Sequence, residues 1–507
     1  MFMKAHIVVL IAAVVRASGI FADVPPARRA SVSVATANAQ DGMPLPPRPE
    51  ACEGQVLVDA AAAVGPIKPM HALNGAPFGK GSPMFAAWKD AEIPYTRTHD
   101  LNTNIGFGAP HAIDVPAIFP DFDADENDPK DYDFANTDAI IERIQASGTK
   151  VFFAFNAFEE ALSPKKYTIY PPKDPAKWAR ICEHIVAHCN EGWANGHRWN
   201  IEYWEIWNEP NLRNTDTDDG VNGTYWRGPR SKFEELFKIS LRHLKGRFPN
   251  LKFGGPAFAG TGAKWGERIV KALADEKIPL DFYSWHCYTT DPRDLAKGAR
   301  WVREMLDRHG FVRTENINDE WNYVKNFGKD MPYSHHVEHG RYSEKGAAFT
   351  AAALCTFQDS PTDMAMYWCA KPADMNGLFD VIEGLPMRGY YPFVVWSALR
   401  RLGTAVRTGT DREDLFSAAA KSADGRLGVL IVRYNEDNNV TSPVRIRVAL
   451  ASGASLASAD CHLTDDRRIF TRTPLAHNAD GSVDLVLRPN SFAFVEIPGI
   501  NGTCRMD

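Results

Sequence analysis

The 507-residue chain lacks a large excess of charge of either sign. It has 57 Lys and Arg residues against 63 Asp and Glu, a net charge of −6, and the basic residues are scattered along the sequence. Nucleic acids and anionic membranes are bound through concentrated positive charge. The composition therefore predicts neither a nucleic-acid nor a membrane partner, and a neutral substrate is the simpler expectation.

The sequence also lacks an apolar run long enough to cross a bilayer, which takes about 20 residues. The run Ile7–Val15 is much shorter, follows Lys4 and precedes the small residues 17–19. This order is typical of a secretory signal peptide, predicted over residues 1–22. A buried or anchoring helix is the alternative, but Arg16 interrupts the apolar pattern. We therefore expect secretion, to the periplasm or the extracellular space.

Motifs for phosphate or metal binding are missing as well. No glycine-rich loop follows a predicted strand, and His335-His336-x-x-His339 lacks the His-Glu-x-x-His order of zinc enzymes. The acidic run 121–125 lacks the Gly and Glu that complete a calcium-binding loop, so a solvated loop is its better interpretation and calcium binding the alternative. The sequence predicts no metal and no cofactor.

What the chain does have is a long alternation of apolar strands and helical segments. Residues 23–50 are rich in proline without apolar periodicity, which indicates a leader or linker. From residue 67 to 402 the alternation predicts an α/β fold, a (β/α)8 TIM barrel. Residues 403–507 change to period-two strands, predicting an accessory C-terminal β-sandwich, and residues 51–66 are expected to add an N-terminal strand to it. The predicted barrel strands are Met70–Gly75, Ile93–His99, Lys150–Asn156, Glu202–Asn208, Leu251–Pro256, Asp281–Tyr288, Phe311–Trp321 and Met364–Trp368.

Two predicted strands end in carboxylates, where TIM barrels carry their chemistry. The fourth ends in Asn208-Glu209-Pro210, and the seventh offers Glu315 and Glu320. Five residues separate the latter two, so in a regular strand they face opposite sides and only one enters the site. Glu320 is nearer the C-terminal end and is favoured, whereas Asp319 is expected to point away from the face that carries Glu320.

The segment Trp204–Asn211 resembles the acid/base motif of clan A glycoside hydrolases, and Lys252–Pro256 resembles glycoside hydrolase family 39. The likeness extends over most of residues 67–402. It implies a retaining O-glycosyl hydrolase with a barrel and a sandwich, with Glu209 as acid/base and Glu320 as nucleophile. The family pattern is split here, because Glu320-Trp321-Asn322 matches one half and Thr314-Glu315 the other.

Several polar residues at strand ends are expected to support the two acids and bind substrate. The charge of Glu320 should raise the pKa of Glu209, while neighbouring donors keep Glu320 ionised. An Arg on strand two, the Asn before the acid and a His-x-Tyr on strand six resemble helpers of the clan. The candidates are Arg97, His99, Asn208, His286 and Tyr288.

Aromatic residues beside the acids are candidates for stacking on a sugar ring. Trp207, Trp321 and Trp368 are considered, with packing in the barrel wall as the alternative, and Trp368 is the best platform. Trp204 and Glu205 are not expected to take part.

The leading functional hypothesis is an exo-acting, retaining glycosidase, and the family resemblance suggests β-xylosidase activity first. Galactoside, glucoside or arabinoside specificity, an iduronidase-like activity and endo action are alternatives within the same class. A non-catalytic glycan-binding barrel is an alternative from a different class. The loops Asn102–Tyr132 and Leu212–Pro229 should decide between exo and endo action by closing or opening the cleft.

The first prediction concerns export. Mature protein recovered from the producing cell should begin between Gly19 and Pro25, because a signal peptidase cuts after the small residues that follow the apolar run. N-terminal sequencing checks this. Abundant cytosolic protein with an intact Met1 would contradict export.

Overall fold

The fold is taken from a computed structural model, which describes residues 45–48, 50–101, 112–157, 168–214, 223–325, 340–372 and 377–498. The signal peptide and most of the leader predicted from the sequence lie outside these residues, and so does the motif His335–His339. Parts of the two loops expected to shape the cleft, residues 102–111 and 215–222, also lie outside them.

Eight parallel strands close into a barrel in which each strand pairs with the next along the chain, and the last pairs with the first. The predicted TIM barrel is confirmed, and every predicted barrel strand overlaps an observed one. The strands are β2 (Ala72–Asn74), β3 (Tyr95–Arg97), β4 (Lys150–Phe155), β5 (Tyr203–Ile206), β6 (Lys252–Phe258), β7 (Phe282–Thr289), β8 (Glu315–Tyr323) and β9 (Met364–Tyr367).

Helices cover the outside of the barrel. Some begin at recognisable capping signals; Pro175–Asn190, for example, starts where Asp174 accepts hydrogen bonds from two backbone amides and Pro175 fills the first turn. In the part of the chain that is described, no helix is both long and apolar enough to span a membrane. The helices are α1 (Pro83–Asp90), α2 (Val115–Ile118), α3 (Ala135–Ala146), α4 (Pro175–Asn190), α5 (Arg230–Arg247), α6 (Ala263–Asp275), α7 (Pro292–Arg308), α8 (Glu344–Gln358) and α9 (Tyr391–Leu402), with 3-10 turns at Pro129–Asp131, Trp193–Asn195 and Arg388–Tyr390.

The accessory domain is one ten-stranded sheet that curls around a core of its own. Apolar residues from both halves of the sheet, such as Val448 and Val495, meet in this core, which gives the sandwich arrangement. The N-terminal strand β1 lies inside the sheet, antiparallel to β10 and parallel to β13. The strands are β1 (Gly54–Pro66), β10 (Thr404–Thr410), β11 (Leu415–Lys421), β12 (Leu427–Arg433), β13 (Val444–Leu450), β14 (Asp460–Thr464), β15 (Thr471–Arg472), β16 (Ala476–His477), β17 (Val483–Leu487) and β18 (Ser491–Ile497).

The sheet is joined to the barrel through a shared apolar core. Leu430 of β12 and Phe494 of β18 belong to the same cluster as Phe349 of α8 and Trp396 of α9. Strands β12 and β18 are therefore buried on both faces, which explains why the run Leu427–Val432 has no polar side chain and does not alternate. The two domains stabilise each other through this interface.

The second prediction tests that interface. Phe494→Ala should lower the free energy of unfolding by about 3–5 kcal/mol, because it removes a large buried ring and leaves a cavity. Val486→Ala is the matched control on the same sheet, since Val486 is 47% exposed, and it should change stability by less than about 0.5 kcal/mol. Urea unfolding measures both. Equal midpoints for the two variants would contradict the interface assignment.

Candidate active site

The backbone at the end of β5 is shaped to present Glu209 at the barrel mouth. Trp207 and Glu209 have left-handed φ values of 78° and 43°, unusual for residues other than glycine. The Glu209 amide donates to the Ala257 carbonyl at 2.9 Å, which ties this turn to the neighbouring strand. Strained backbone of this kind persists where the surroundings fix it, and it is concentrated at functional sites.

Glu209 and Glu320 lie side by side, and His286 from β7 contacts both. The His286 Nδ1 atom lies 2.8 Å from Glu209 Oε1 and 3.3 Å from Glu320 Oε2. One carboxyl oxygen of Glu209 is within 4.8 Å of one of Glu320. Both side chains are nearly buried, at 9% and 6% exposure. The structure thus brings together the two acids singled out from the sequence.

The other candidates surround Glu320. Arg97 Nη1 donates to Glu320 Oε1 at 2.8 Å, and the Tyr288 hydroxyl donates to Glu320 Oε2 at 2.7 Å. Arg97 Nη2 also donates to Asn208 Oδ1 at 2.8 Å, while His99 Nε2 lies 3.9 Å from Glu320. The Asn208 amide nitrogen is buried and has no hydrogen-bond partner in the protein, so it is available to a bound ligand.

A second layer of acids lies beneath this site, and the expectation that Glu205 takes no part is wrong. Arg97 Nε lies 2.6 Å from Glu205 Oε2 and 3.1 Å from Asp319 Oδ2, all with fully buried side chains. Ser284 donates to the other Glu205 oxygen at 2.6 Å. Glu205 faces the barrel interior like Tyr203, two residues earlier. A charged residue in an inward-facing position was the signal that could have identified it.

The expected orientation of Asp319 is also wrong, because β8 contains a bulge. Trp285 pairs with Asn318 and His286 with Glu320, which leaves Asp319 as an extra residue. A bulge breaks the alternation of faces, so Asp319 and Glu320 both point into the barrel.

Glu315 faces the interior as well, so the argument that only one of the two strand-seven acids could do so fails. At the N-terminal end of β8 it accepts hydrogen bonds from Tyr203 at 2.9 Å and Lys252 at 2.7 Å. Of the two acids, Glu320 is the one beside Glu209.

Two of the three tryptophans considered for sugar stacking pack in the barrel wall instead. Trp207 is 1% exposed against Trp178 and Trp226, and Trp321 is fully buried among aromatic side chains. Trp368 differs, because with His99 it lines a cavity of about 280 Å³. The rings of these two residues are 5.3 Å apart. Trp368 is therefore the tryptophan of the three positioned to contact a ligand.

Burial and charge shift the pKa values of the groups at the mouth. Burial raises the pKa of Glu320 to about 7; His286 and Arg97 oppose this, and the charge of Glu209 adds to it. Burial alone would lower the pKa of His286, but Glu320 and Asp319 outweigh it and raise that pKa to about 10.

The deeper pair of acids is shifted in opposite directions. Burial and the charge of Asp319 raise the pKa of Glu205 well above its usual range. Burial would raise the pKa of Asp319 too, but Arg97 and His286 lower it. Glu205 is therefore the neutral acid and Asp319 the carboxylate, so Glu205 can donate a hydrogen bond to Asp319.

The group Glu209, His286 and Glu320 could by geometry hold a metal ion. The neighbouring carboxylates raise the pKa of His286 and favour its protonated form, in which Nδ1 donates to them. The arrangement instead supplies an acid, a nucleophile and fixed positive charge around one opening, which suits proton transfer coupled to nucleophilic attack.

The third prediction concerns Asp319. Asp319→Asn should lower the pKa of His286 below about 10, because one of the carboxylates that raise it is removed. Titration of labelled histidine by NMR measures this, with His286→Gln assigning the signal. Glu315→Gln, at the other end of the barrel, is the control and should leave the value unchanged. An unaltered His286 pKa in Asp319→Asn would rule out this electrostatic link.

Comparison with known proteins agrees with the resemblance seen in the sequence. The model for glycosyl hydrolases family 39 matches residues 86–335. A β-xylosidase of Geobacillus stearothermophilus is 28% identical over 217 residues, 40% of this chain and 39% of that protein. A β-xylosidase of Caldicellulosiruptor saccharolyticus is 27% identical over 305 residues, 53% of this chain and 57% of that protein. The matches thus span less than two thirds of each curated relative.

Solved structures share the fold over nearly the whole described chain. A glucosidase from Croceicoccus marinus superposes with a TM-score of 0.70 at 20% identity, covering 88% of this chain and 99% of that one. A monomeric β-xylosidase from Caulobacter crescentus gives a TM-score of 0.65 at 18% identity, with coverage of 88% and 99%. The match over residues 86–335 and the two β-xylosidase relatives support glycoside hydrolase family 39, while the solved structures, at 20% identity or less, show a shared fold.

Proposed function

We propose that the protein is a secreted, retaining glycoside hydrolase that releases a terminal glycosyl residue by double displacement, with a β-xyloside as its first-choice substrate. The short distance between Glu209 and Glu320 carries the proposal, since their nearest oxygens are within 4.8 Å. Retaining enzymes place the carboxyl groups about 5–5.5 Å apart, whereas inverting enzymes leave about 6.5–9.5 Å for a water molecule.

In the first step Glu320 attacks the anomeric carbon while Glu209 protonates the departing glycosidic oxygen. Arg97 and Tyr288 donate to the two oxygens of Glu320, which stabilises the ionised form that attacks. The bond from the anomeric carbon to the leaving oxygen breaks as the bond to Glu320 forms.

In the second step Glu209, now ionised, removes a proton from the water molecule that attacks the glycosyl–enzyme bond. Glu320 is released as a carboxylate, and the product keeps its anomeric configuration. The first step needs Glu320 ionised, and burial raises the pKa of Glu320 to about 7, so the rate of that step should fall as the pH drops below about 7.

The choice of a xyloside rests on the relatives, two of which are named β-xylosidases. Trp368 offers a flat apolar face and the Asn208 amide a free donor, a pairing suited to a pyranose and its hydroxyl groups. These features would also accept a glucoside or galactoside. The proposal of secretion is based on the signal-like segment 1–22. Double displacement by two carboxyl groups needs neither a metal nor a cofactor.

The fourth prediction separates acid catalysis from nucleophilic attack. Glu209→Gln should lower the rate on an alkyl or sugar leaving group by about 10²–10⁴-fold, yet largely spare glycosylation by a dinitrophenyl xyloside, which needs little protonation. Single-turnover kinetics on both substrates measures this. Equal losses on the two substrates would remove Glu209 from the acid/base role.

The fifth prediction identifies the nucleophile. A 2-fluoro xyloside with a good leaving group should accumulate as a covalent adduct on Glu320, located by peptide mass spectrometry. Glu320→Gln should lose both adduct and turnover, whereas Glu315→Gln should keep both, because Glu315 is bonded at the opposite end of the barrel. An adduct on Glu315 would refute the assignment. Absence of turnover on every aryl glycoside tried would favour the non-catalytic glycan-binding alternative.

A further inference from the structure

Three potential metal ligands meet on the outer surface of the barrel, in a cluster that the proposed mechanism does not use. Asp138 lies in the first turn of α3, His188 in the last turn of α4, and His197 in the loop that follows. His188 Nε2 is 3.0 Å from Asp138 Oδ1, and His197 Nε2 is 3.2 Å from Asp138 Oδ2. All three ligand atoms lie within 4.8 Å of one another.

The surroundings of His188 determine how its ring is protonated. Its Nδ1 atom lies 2.9 Å from the Trp193 carbonyl oxygen, which only accepts hydrogen bonds, so Nδ1 carries a proton. In neutral His188 the lone pair is then on Nε2 and points at Asp138 Oδ1. The lone pair and the carboxylate oxygen would repel each other. The contact is favourable only if a second proton or a metal ion lies between them. A ligating histidine whose other nitrogen donates to a carbonyl is the usual arrangement at metal sites.

The loop that carries His197 is folded tightly against the end of α4. The His197 amide donates to the His188 carbonyl at 2.6 Å. A side chain at Gly196 would come within 2.6 Å of His188 Nδ1. Ala194 and Asn195 hold left-handed φ values of 54° and 57°, a strained conformation that needs compensation from its surroundings. A bond from His197 to a metal shared with α3 and α4 would provide it.

We propose that Asp138, His188 and His197 bind a divalent transition-metal ion, zinc in the first instance. Zinc bonds of about 2.0–2.2 Å place neighbouring ligands of a tetrahedral site about 3.3 Å apart; here each imidazole nitrogen lies 3.0 or 3.2 Å from a different Asp138 oxygen, and the three ligand atoms lie within 4.8 Å of one another. Two imidazoles and a carboxylate form a ligand set that suits zinc. Asp138 and His197 are 25% and 26% exposed, which leaves a coordination position open to solvent. The ion would tie α3, α4 and the loop together.

The test must separate this site from the catalytic group, which contains Glu209, His286 and Glu320 within a similar radius. The experiment therefore uses full-length mature protein with Glu320→Gln, without an affinity tag and stripped with a chelator. Zinc alone is then added, its binding is measured by isothermal titration and elemental analysis, and the melting temperature is recorded with and without zinc. This design does not depend on the proposed function.

The parent should bind zinc and melt several degrees higher in its presence, because a ligand that binds only the folded state stabilises it. Asp138→Asn and His197→Asn should each bind about one zinc ion fewer per chain and lose the increase in melting temperature. His184→Gln is the control, because it removes an imidazole one turn from His188 that is not a member of the cluster, and it should behave like the parent. His197 lies in the loop, so His197→Asn keeps the test valid if Asp138→Asn unfolds.

The proposal is overturned if the two cluster variants bind as much zinc as the parent, or if the parent binds none.

Discussion

The active centre depends on the buried guanidinium of Arg97. From β3, a strand of three residues, it contacts Glu205 on β5, Asn208 just after that strand, and Asp319 and Glu320 on β8. Burying a charge is costly unless it is paired and its donors are used. Here each guanidinium nitrogen has a partner. Arg97 therefore holds β5 and β8 in place relative to each other and fixes the position of the Glu320 carboxylate beside Glu209. Removing one partner of such a buried pair typically costs about 3–5 kcal/mol.

The protons of the site follow from this arrangement. Arg97 faces three carboxyl groups, so the inner site cannot hold all three as anions without further positive charge. His286, whose pKa is raised to about 10, supplies a second cation. Glu205 supplies a neutral acid, because burial and Asp319 raise its pKa. The deeper acids therefore act on the chemistry through Arg97 and His286, whereas Glu209 and Glu320 lie beside each other at the barrel mouth. We regard Glu205 and Asp319 as positioning residues for this reason.

Much of the fold could be predicted from the sequence, because barrel strands and surface helices carry strong periodicities. Each of the eight predicted barrel strands overlaps an observed one, as Met364–Trp368 overlaps β9. The Asn208-Glu209-Pro210 sequence was informative because it closely follows the fourth barrel strand, which ends at Ile206. What periodicity could not predict was the bulge at Asp319, since the extra residue is defined only by pairing with β7. Periodicity also could not predict the role of Glu205. That role depends on the contact between Glu205 and Arg97, a residue from a different strand. Trp207 and Trp321 were considered for stacking on a sugar but are buried in the barrel wall. The sequence could not distinguish these roles, because an aromatic side chain can fill either one.

The central claim is that Glu209 and Glu320 are too close to admit a water molecule between acid and substrate, so that Glu320 attacks directly. Proton NMR of the first product released from an aryl β-glycoside tests this most directly, because it reads the anomeric configuration before mutarotation. Direct attack by Glu320 predicts that the first product keeps the β configuration. Release of the α anomer would contradict the mechanism, whatever sugar the enzyme prefers.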